Sequence, residues 1–397
     1  LIWNVNDDQR LLQQSAEDFL RSCEPVQIFR AQSQQPDWQG YDPDTWRSIC
    51  ELGWPATAVP EKQGGYEFGY VGLGTLMREA GRYLLPSPLL GSSGLALPVW
   101  LQVIGDSDPR EFPEAQRCLL NQVTAGEKTL ALAIDESHRH QPDNIALTAI
   151  KDGDSYFLQG NKRFVVDGAC ADTLLVVART GEHSRDCSHV GLFVVEADNP
   201  GLTRESLNML DHRNMAHLEF DNVRVEQTAL LGTVDEASEG LQRGLDVARC
   251  LLAAEMLGGV EACFEATLEY LKVRDQFDAI IGSFQALQHR MARLYIDLEQ
   301  CRAVVLAALK AADTESPANG SPSSYEDSAL PKLASLAKAK LNDLSIAMTN
   351  EAVQLHGGIG VTEELDIGLY LKRSRLTVQL LGDSRFHRDR FALLEGY

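Results

Sequence analysis

The sequence is short of positive charge, of patterned cysteine and of long apolar runs, and each shortage closes off a class of function. Asp and Glu number 57 against 36 Lys and Arg, for a formal net charge of −21. A surface this acidic repels phosphate backbones and anionic lipid, so nucleic acid is disfavoured as a partner. An anionic ligand would need Arg or Lys placed locally against that field. The eight cysteines, Cys23, Cys50, Cys118, Cys170, Cys187, Cys250, Cys263 and Cys301, include no C-x-x-C pair, which removes support for zinc and dithiol-redox chemistry. No apolar run approaches the roughly 20 residues that span a bilayer. Leu1 to Arg10 is polar and acidic, unlike a signal peptide, so a reducing cytoplasm is the expected location. Phosphate-loop, dinucleotide-loop, nucleophile-elbow and zincin motifs are all missing. His289, His356 and His387 stand apart from cysteine and from close carboxylate spacing, so no metal is expected.

What is present is ordinary globular material: 397 residues, 44% hydrophobic and 23% charged, enough for two or three domains. Residues 1–127 read as an N-terminal helical domain, with Leu11, Leu12, Ala16, Phe19 and Leu20 at helical spacing. Between 128 and 235 the pattern changes to short runs rich in Val, Leu, Phe and Tyr, at 130–134, 146–150, 155–159, 173–178, 190–195 and 216–220. Gly, Asp and Asn separate them, and Asp152-Gly153-Asp154 is a hairpin signal, so this stretch predicts a middle antiparallel β domain. Residues 236–397 carry long helical stripes, among them Leu241, Leu245, Ala248, Leu252 and Met256, and predict a C-terminal four-helix bundle. The Ser, Pro, Gly and acid-rich stretch 313–328 reads as a mobile loop within that bundle. The fold class is therefore α+β. On spacing alone, Lys162 and the run His387-Arg388-Asp389-Arg390 read as polar turns.

Three places could carry chemistry. An amphipathic helix runs into Gln354-Leu355-His356-Gly357-Gly358-Ile359-Gly360, followed by Glu363-Glu364. One glycine would serve as a helix stop. Three in four positions exceed that need, and glycine also lets backbone N–H groups approach an anion such as a pyrophosphate. Arg274-Asp275-Gln276-Phe277 closes one long helix, and Phe284-Gln285 opens the next. Arg274 is either a solvated cation at a helix C-terminus or a phosphate clamp, with Phe covering a flat ring and Gln supplying amide hydrogen bonds. Asp246 and Arg249 have the spacing of an i,i+3 ion pair on the helix that opens the bundle.

Taken together, these residues resemble the acyl-CoA dehydrogenase family along nearly the whole chain. Leu52-Gly53-Trp54 through Gly64-Gly65 resembles its N-terminal domain, and Gly160-Asn161-Lys162 with Ala171-Asp172 its middle domain. Arg274-x-Gln276-Phe277 with Phe284-Gln285, and Gln354-Leu355-His356-Gly357-Gly358-x-Gly360, look like its most specific motifs. The resemblance implies FAD as cofactor, bound by Arg274, Phe277, Phe284, Gln285, Gln354, Leu355, His356, Gly357 and Gly358 across a subunit interface. It implies α,β-dehydrogenation of an acyl-CoA thioester, with hydride passing to flavin N5. This reading assigns the base to Glu364, seven residues beyond Gly357. The alternative position, on the helix entering the bundle, is Ala248 here. Asp246 and Arg249 would lie near the substrate. An electron-transfer flavoprotein is the implied acceptor, and the assembly is a homo-oligomer or a heteromer with a related chain. Departures fall in the middle domain. Asp135-Glu136-Ser137-His138-Arg139-His140 lacks Gly-Ser-Asp, and Phe164-Val165-Val166 stands where Trp-Ile-Thr would offer flavin N5 a hydroxyl. Asp278 replaces a usual Gly. These features look like the divergent smaller subunits of bacterial heteromeric enzymes that handle bulky acyl-CoA esters. A half-site partner subunit is thus one alternative. A flavin monooxygenase or oxidase on the same scaffold is the other.

Overall fold

The computed structural model describes residues 3, 5–35, 38–180, 189–315, 325 and 328–397. Most of the stretch read as a mobile loop, and Cys187, therefore lie outside the described residues. The chain opens with helices α1 (Asp7–Cys23), α2 (Pro25–Gln32), α3 (Pro43–Glu51), α4 (Gly69–Arg82), α5 (Leu97–Ile104) and α6 (Glu114–Thr124). A sheet follows, from β1 (Leu130–Ala133), β2 (Thr148–Asp152), β3 (Ser155–Val166) and β4 (Thr173–Arg179) to β5 (Val190–Glu196), β6 (Leu202–Ser206), β7 (Met215–Glu226) and β8 (Leu230–Leu231). Then come α7 (Val234–Val273), a hairpin of β9 (Asp275–Gln276) and β10 (Ala279–Ile280), α8 (Gln285–Thr314), α9 (Leu330–His356), α10 (Ile367–Thr377) and α11 (Ser384–Leu394).

Local chemistry sets the helix starts. Asn6 accepts from the Gln9 N–H, and the Gln9 side chain returns the bond to the Asn6 N–H, a reciprocal cap on α1. Asp42 caps α3 through the Thr45 N–H at 2.8 Å. The Asp313 carboxylate, at the end of α8, accepts from the first amides of α4, Tyr70 and Val71.

The sheet runs β6-β7-β3-β2-β4-β5-β8, mostly as antiparallel pairs. It is mixed, because β4 carries β5 along one edge and lies parallel to β1 and to the end of β2 along the other. β4 is buried on both faces. Leu174, Val176 and Ala178 fill the sheet's own core, while Leu175 and Val177 point into the helical core. That explains its unbroken apolar run, which alternation alone would not give. Two features read as polar turns are regular structure. Lys162 is a fully buried residue of β3, its ammonium bonded to the Ile134 carbonyl (3.0 Å) and the Glu136 carboxylate (2.7 Å). His387 to Arg390 belong to α11, and His387 is fully buried. The spacing reading failed at both because a buried charge looks polar in sequence whatever pairs with it.

Helix α7 is the axis of the molecule. It packs on α4 and α5 at one side and α9 at the other. Its contacts with α4 and α5 are made backbone to backbone. A Cβ on Gly258 would lie 1.7 Å from the Arg78 carbonyl oxygen, and one on Gly244 2.4 Å from the Val99 Cα. Gly81 of α4 meets the Glu255 carbonyl in the same way. A charged cluster then ties sheet, α7 and α10 together. Arg213 pairs with Glu255, and Arg373 bonds both Asp211 (2.5 Å) and Glu255 (3.2 Å). Asp167 sits against this group, accepting from the Gly91 N–H at 3.1 Å. Two guanidiniums balance Asp211 and Glu255, so an ionised Asp167 is the surplus charge. Burial pushes its carboxyl up to about 7, against the pull of Arg213 and the Gly91 N–H.

Two outcomes follow from this packing. Gly258→Ala should destabilise the chain by about 2–3 kcal/mol in urea unfolding, because its methyl meets backbone that cannot step aside. Asp167 keeps its proton in the folded chain between about pH 4 and 7, where the unfolded chain has lost it. Its contribution to stability therefore declines as pH rises through that window. Asp167→Asn should raise the unfolding free energy at pH 8 by up to about 4 kcal/mol and change it little at pH 4. Equal effects at both pH values would show that the carboxyl titrates normally.

Candidate cofactor and active site

The far end of α7 builds one part of the site. Arg274 follows the last residue of the helix, and its carbonyl accepts from the Ile281 N–H at 2.9 Å, closing the β9–β10 hairpin. Phe277 and Asp278 form the hairpin tip, both with positive φ (60° and 59°). Asp tolerates that conformation, whereas Phe adopts it under strain. Phe277 is 87% exposed and meets Phe284 edge to face at 6.3 Å. Arg274, Gln285 and Gln354 are exposed as well. An apolar ring held outward on a strained turn, beside an exposed cation, is a feature that binding surfaces share.

The glycine turn is brought to the same end by a contact that the sequence did not reveal. Tyr270, one turn before Arg274, stacks on His356 with centroids 4.3 Å apart, and its hydroxyl donates to the His356 carbonyl at 3.3 Å. His356 is buried, with Nδ1 2.8 Å from the Ala352 carbonyl, and Leu355 is buried beside it. Both are therefore supports of the turn rather than its exposed face. The three glycines have separate reasons. Gly357 has φ +66° and ψ −140°, a conformation open to glycine alone. Gly360 is needed for packing, since a Cβ would lie 2.8 Å from the Val353 carbonyl oxygen. Gly358 has an ordinary φ and open space where a Cβ would go, so nothing within the chain calls for glycine there. That leaves its backbone open to a group from outside the chain. Together with the exposed Arg274, this end fits a flat anionic nucleotide such as FAD.

Glu364 lies in the segment between this turn and α10. It is exposed, and its backbone N–H donates to Thr362 Oγ1 at 3.4 Å. The dry pocket that a carboxylate base requires is thus not supplied by this chain around Glu364. Ala248, the alternative position, is fully buried and has no carboxylate to offer.

Asp246 and Arg249 belong to the first half of α7. They form the expected pair at 2.8 Å, but both are fully buried within a larger network. Arg390 of α11 and the Tyr325 hydroxyl bond the same Asp246 carboxylate. Burial alone would push that carboxyl up, but Arg390 and Arg249 outweigh it and hold it below the usual range. Arg249 reaches His140 Nε2 (3.1 Å), and His140 Nδ1 lies 2.8 Å from the Asp135 carboxylate. A guanidinium can only donate, so His140 carries its proton on Nδ1 and gives it to Asp135. Phe386 packs edge-on against His140 at 5.1 Å. The loop after β1, α7 and α11 are thereby sealed together. The Glu136 carboxylate is likewise spent, on Lys162 and the amides of Ala146 and Leu147. Val166 is buried and has no hydroxyl. Among the described residues no group of three or more His, Cys, Asp or Glu is placed to hold a metal ion, and no helix is long and apolar enough to cross a membrane.

Comparison with known proteins covers the three parts of the chain. Residues 6–105 match the acyl-CoA dehydrogenase N-terminal domain, 134–223 its middle domain and 239–392 its C-terminal domain. Acyl-CoA dehydrogenase IpdE2 of Mycolicibacterium smegmatis is 31% identical over 87% of this chain and 86% of its own. A variant of the Tcur3481-Tcur3483 steroid ACAD superposes with a TM-score of 0.83 at 29% identity, covering 98% of each chain. The ChsE4-ChsE5 complex from Mycobacterium tuberculosis gives a TM-score of 0.84 at 25% identity, covering 100% of each. With helices, mixed sheet and helical bundle in this order, the chain belongs to the acyl-CoA dehydrogenase family, FAD-dependent oxidoreductases that act on acyl-CoA thioesters.

Proposed function

We propose that this chain is one subunit of a two-chain acyl-CoA dehydrogenase, to which it contributes a nucleotide half-site and not the catalytic base. The observation that carries this reading is the pairing of Gly358, open to an outside group, with the exposed Arg274 and Phe277 at one end of α7. Arg274 would hold the FAD pyrophosphate, Phe277, Phe284 and Gln285 would line the nucleotide, and the exposed Gln354 side chain and the open backbone at Gly358 would meet it. When bound, FAD accepts the hydride that leaves the β carbon of the acyl group.

Geometry supports a division of labour between chains. The α-helix rises about 1.5 Å per residue, so roughly 40 Å of α7 separate Asp246 from the Arg274 end. The two groups face different sites, and Arg274 reaches outward to a neighbour's. The chain's own interior is poorly suited to catalysis. Backbone contact at Gly244 and Gly258 leaves no gap for an acyl chain at those crossings, Asp246 is consumed by Arg249 and Arg390, and Arg249 by Asp246 and His140. The likeness to the ChsE4-ChsE5 complex agrees with a heteromer. An electron-transfer flavoprotein would take the electrons onward.

A second reading keeps Glu364 as base, and one observation favours it. Its segment is fastened from outside by Arg30, which bonds the neighbouring Glu363 carbonyl at 2.7 Å. A partner surface would then have to supply the dry surroundings that this chain does not.

Spectra and turnover separate these readings. Purified alone, the chain should be colourless. Co-purified with a related dehydrogenase chain it should be yellow and reduced by acyl-CoA. Stoichiometric FAD in the lone protein would overturn the two-chain proposal. In the active assembly, Glu364→Gln should keep turnover within a few fold. A loss of about 10²-fold or more with FAD retained would move the base to Glu364. Arg274→Ala should weaken FAD binding at least about tenfold, the loss of one charge-assisted phosphate contact.

A further inference from the structure

We infer that Arg30, in the N-terminal part of the chain, is a positioning residue for the glycine turn that meets the nucleotide. The inference rests on the half-site reading above and adds a residue to it. The segment 357–366 leaves α9 at Gly357 and rejoins regular structure at α10. Its start is fixed by the Tyr270–His356 stack. Residues 357–361 form a 3-10 turn with Gly360 packed against α9, Leu365 reaches the core, and Thr362 Oγ1 donates to the Ile359 carbonyl at 2.8 Å, so the longest exposed run is 361–364. Gly357 and Gly358 have open surroundings, and Val361, Thr362, Glu363 and Glu364 are exposed. A segment of this kind opens at low cost unless it is tied.

Arg30 ties it. One guanidinium nitrogen donates to the Glu363 carbonyl at 2.7 Å and the other to the Asp366 carboxylate at 2.8 Å. The planar fork spans both acceptors at once, which fixes orientation as well as distance. The base of the fork is firm. Arg30 belongs to α2, whose Phe29 packs edge-on against His212 at 5.7 Å in the loop before β7. Val26 and Phe29 of α2 also line the narrow gap against Leu369 and Lys372 of α10. The turn is thus held at one end by the bundle and at the other by the N-terminal helices. Without the second tie, the glycine turn would be anchored on the α9 side alone.

The position of Arg30 also predicts what it does not do. Its side chain and that of Asp366 are 29% and 49% exposed, and exposed ion pairs contribute little to global stability. Its effect should be local. The test uses the assembled, FAD-loaded enzyme with Arg30→Ala and Arg30→Lys, reading amide hydrogen exchange across 357–366, FAD dissociation and melting temperature. For Arg30→Ala the expectation is exchange about tenfold faster in that segment alone and FAD binding about tenfold weaker. The melting temperature should move by less than about 2 °C. Arg30→Lys, with a single point of donation, should fall between the two. Unchanged exchange and FAD binding in Arg30→Ala, or a loss of protection spread over the whole chain, would overturn the inference. Arg274→Ala separates the two levels. If it weakens FAD binding and Arg30→Ala does not, the positioning role alone fails. If Arg274→Ala leaves FAD binding intact, the half-site reading itself fails.

Discussion

The backbone-to-backbone packing of α7 against α4 and α5 is the constraint on which the rest of the structure depends. Glycine at 81, 244 and 258 removes the side chains that would hold these helices apart. Once α7 is seated, its buried carboxylates have fixed outlets. Glu261 turns to Arg78 and Arg302, Glu255 to Arg213 and Arg373, and Asp246 to Arg249 and Arg390. Each pairing draws in another element, namely α4 and α8, then the sheet and α10, then α11. One continuous helix thereby locates the sheet, the bundle and the C-terminal helix relative to each other. It also carries Arg274 to the far end of the molecule, where it can serve only a surface.

Much of the fold was legible because it is written in periods. The stripe Leu241, Leu245, Ala248, Leu252 and Met256 is buried along α7 as its spacing requires. Strands β1, β4 and β5 are short apolar runs bounded by turn residues. β6 was not legible, because Leu202–Ser206 is a polar edge strand with little apolar alternation. The parallel pairing of β1 with β4 was equally hidden, since register between distant strands depends on packing and not on either strand's own pattern. The motif at Arg274 and the glycine turn were visible as unusual residues, but their meeting depends on Tyr270 and His356, whose stacking joins positions 86 apart.

The polar interior was the least legible part. Spacing identified Asp246 with Arg249 because an i,i+3 pair is a local relation. Arg390 lies 144 positions from Asp246, and His140 lies 109 from Arg249. No period links them. A buried charge reads in sequence as a surface residue, which is how Lys162 and the α11 residues came to look like turns. Glu364 is a different case. A carboxylate next to a glycine-rich turn invites a catalytic reading, yet raising a carboxyl pKa takes desolvation, and desolvation is a property of the surroundings.

That distinction bears on where catalysis resides. Proton abstraction from an acyl-CoA needs a carboxylate that is dry, near neutral in pKa and free to face the substrate. Asp167 has the desolvation but is turned into a cluster of arginines and a backbone N–H. Glu79 is also pushed up by burial, yet it bonds Gln13 and lies beside Arg78. Asp246 is buried and held low by two arginines. Glu364 is free but wet. Each candidate meets some of the conditions, and among these carboxylates none meets all three within this chain. A base that satisfies them can be created at Glu364 if a partner covers it, or supplied whole by a second chain. The chain's own investment lies elsewhere, in a strained exposed Phe277, an unpacked Gly358 and a cation at the end of a long helix. All three lie at the surface, where they become useful only if another molecule arrives, as the two-chain proposal requires.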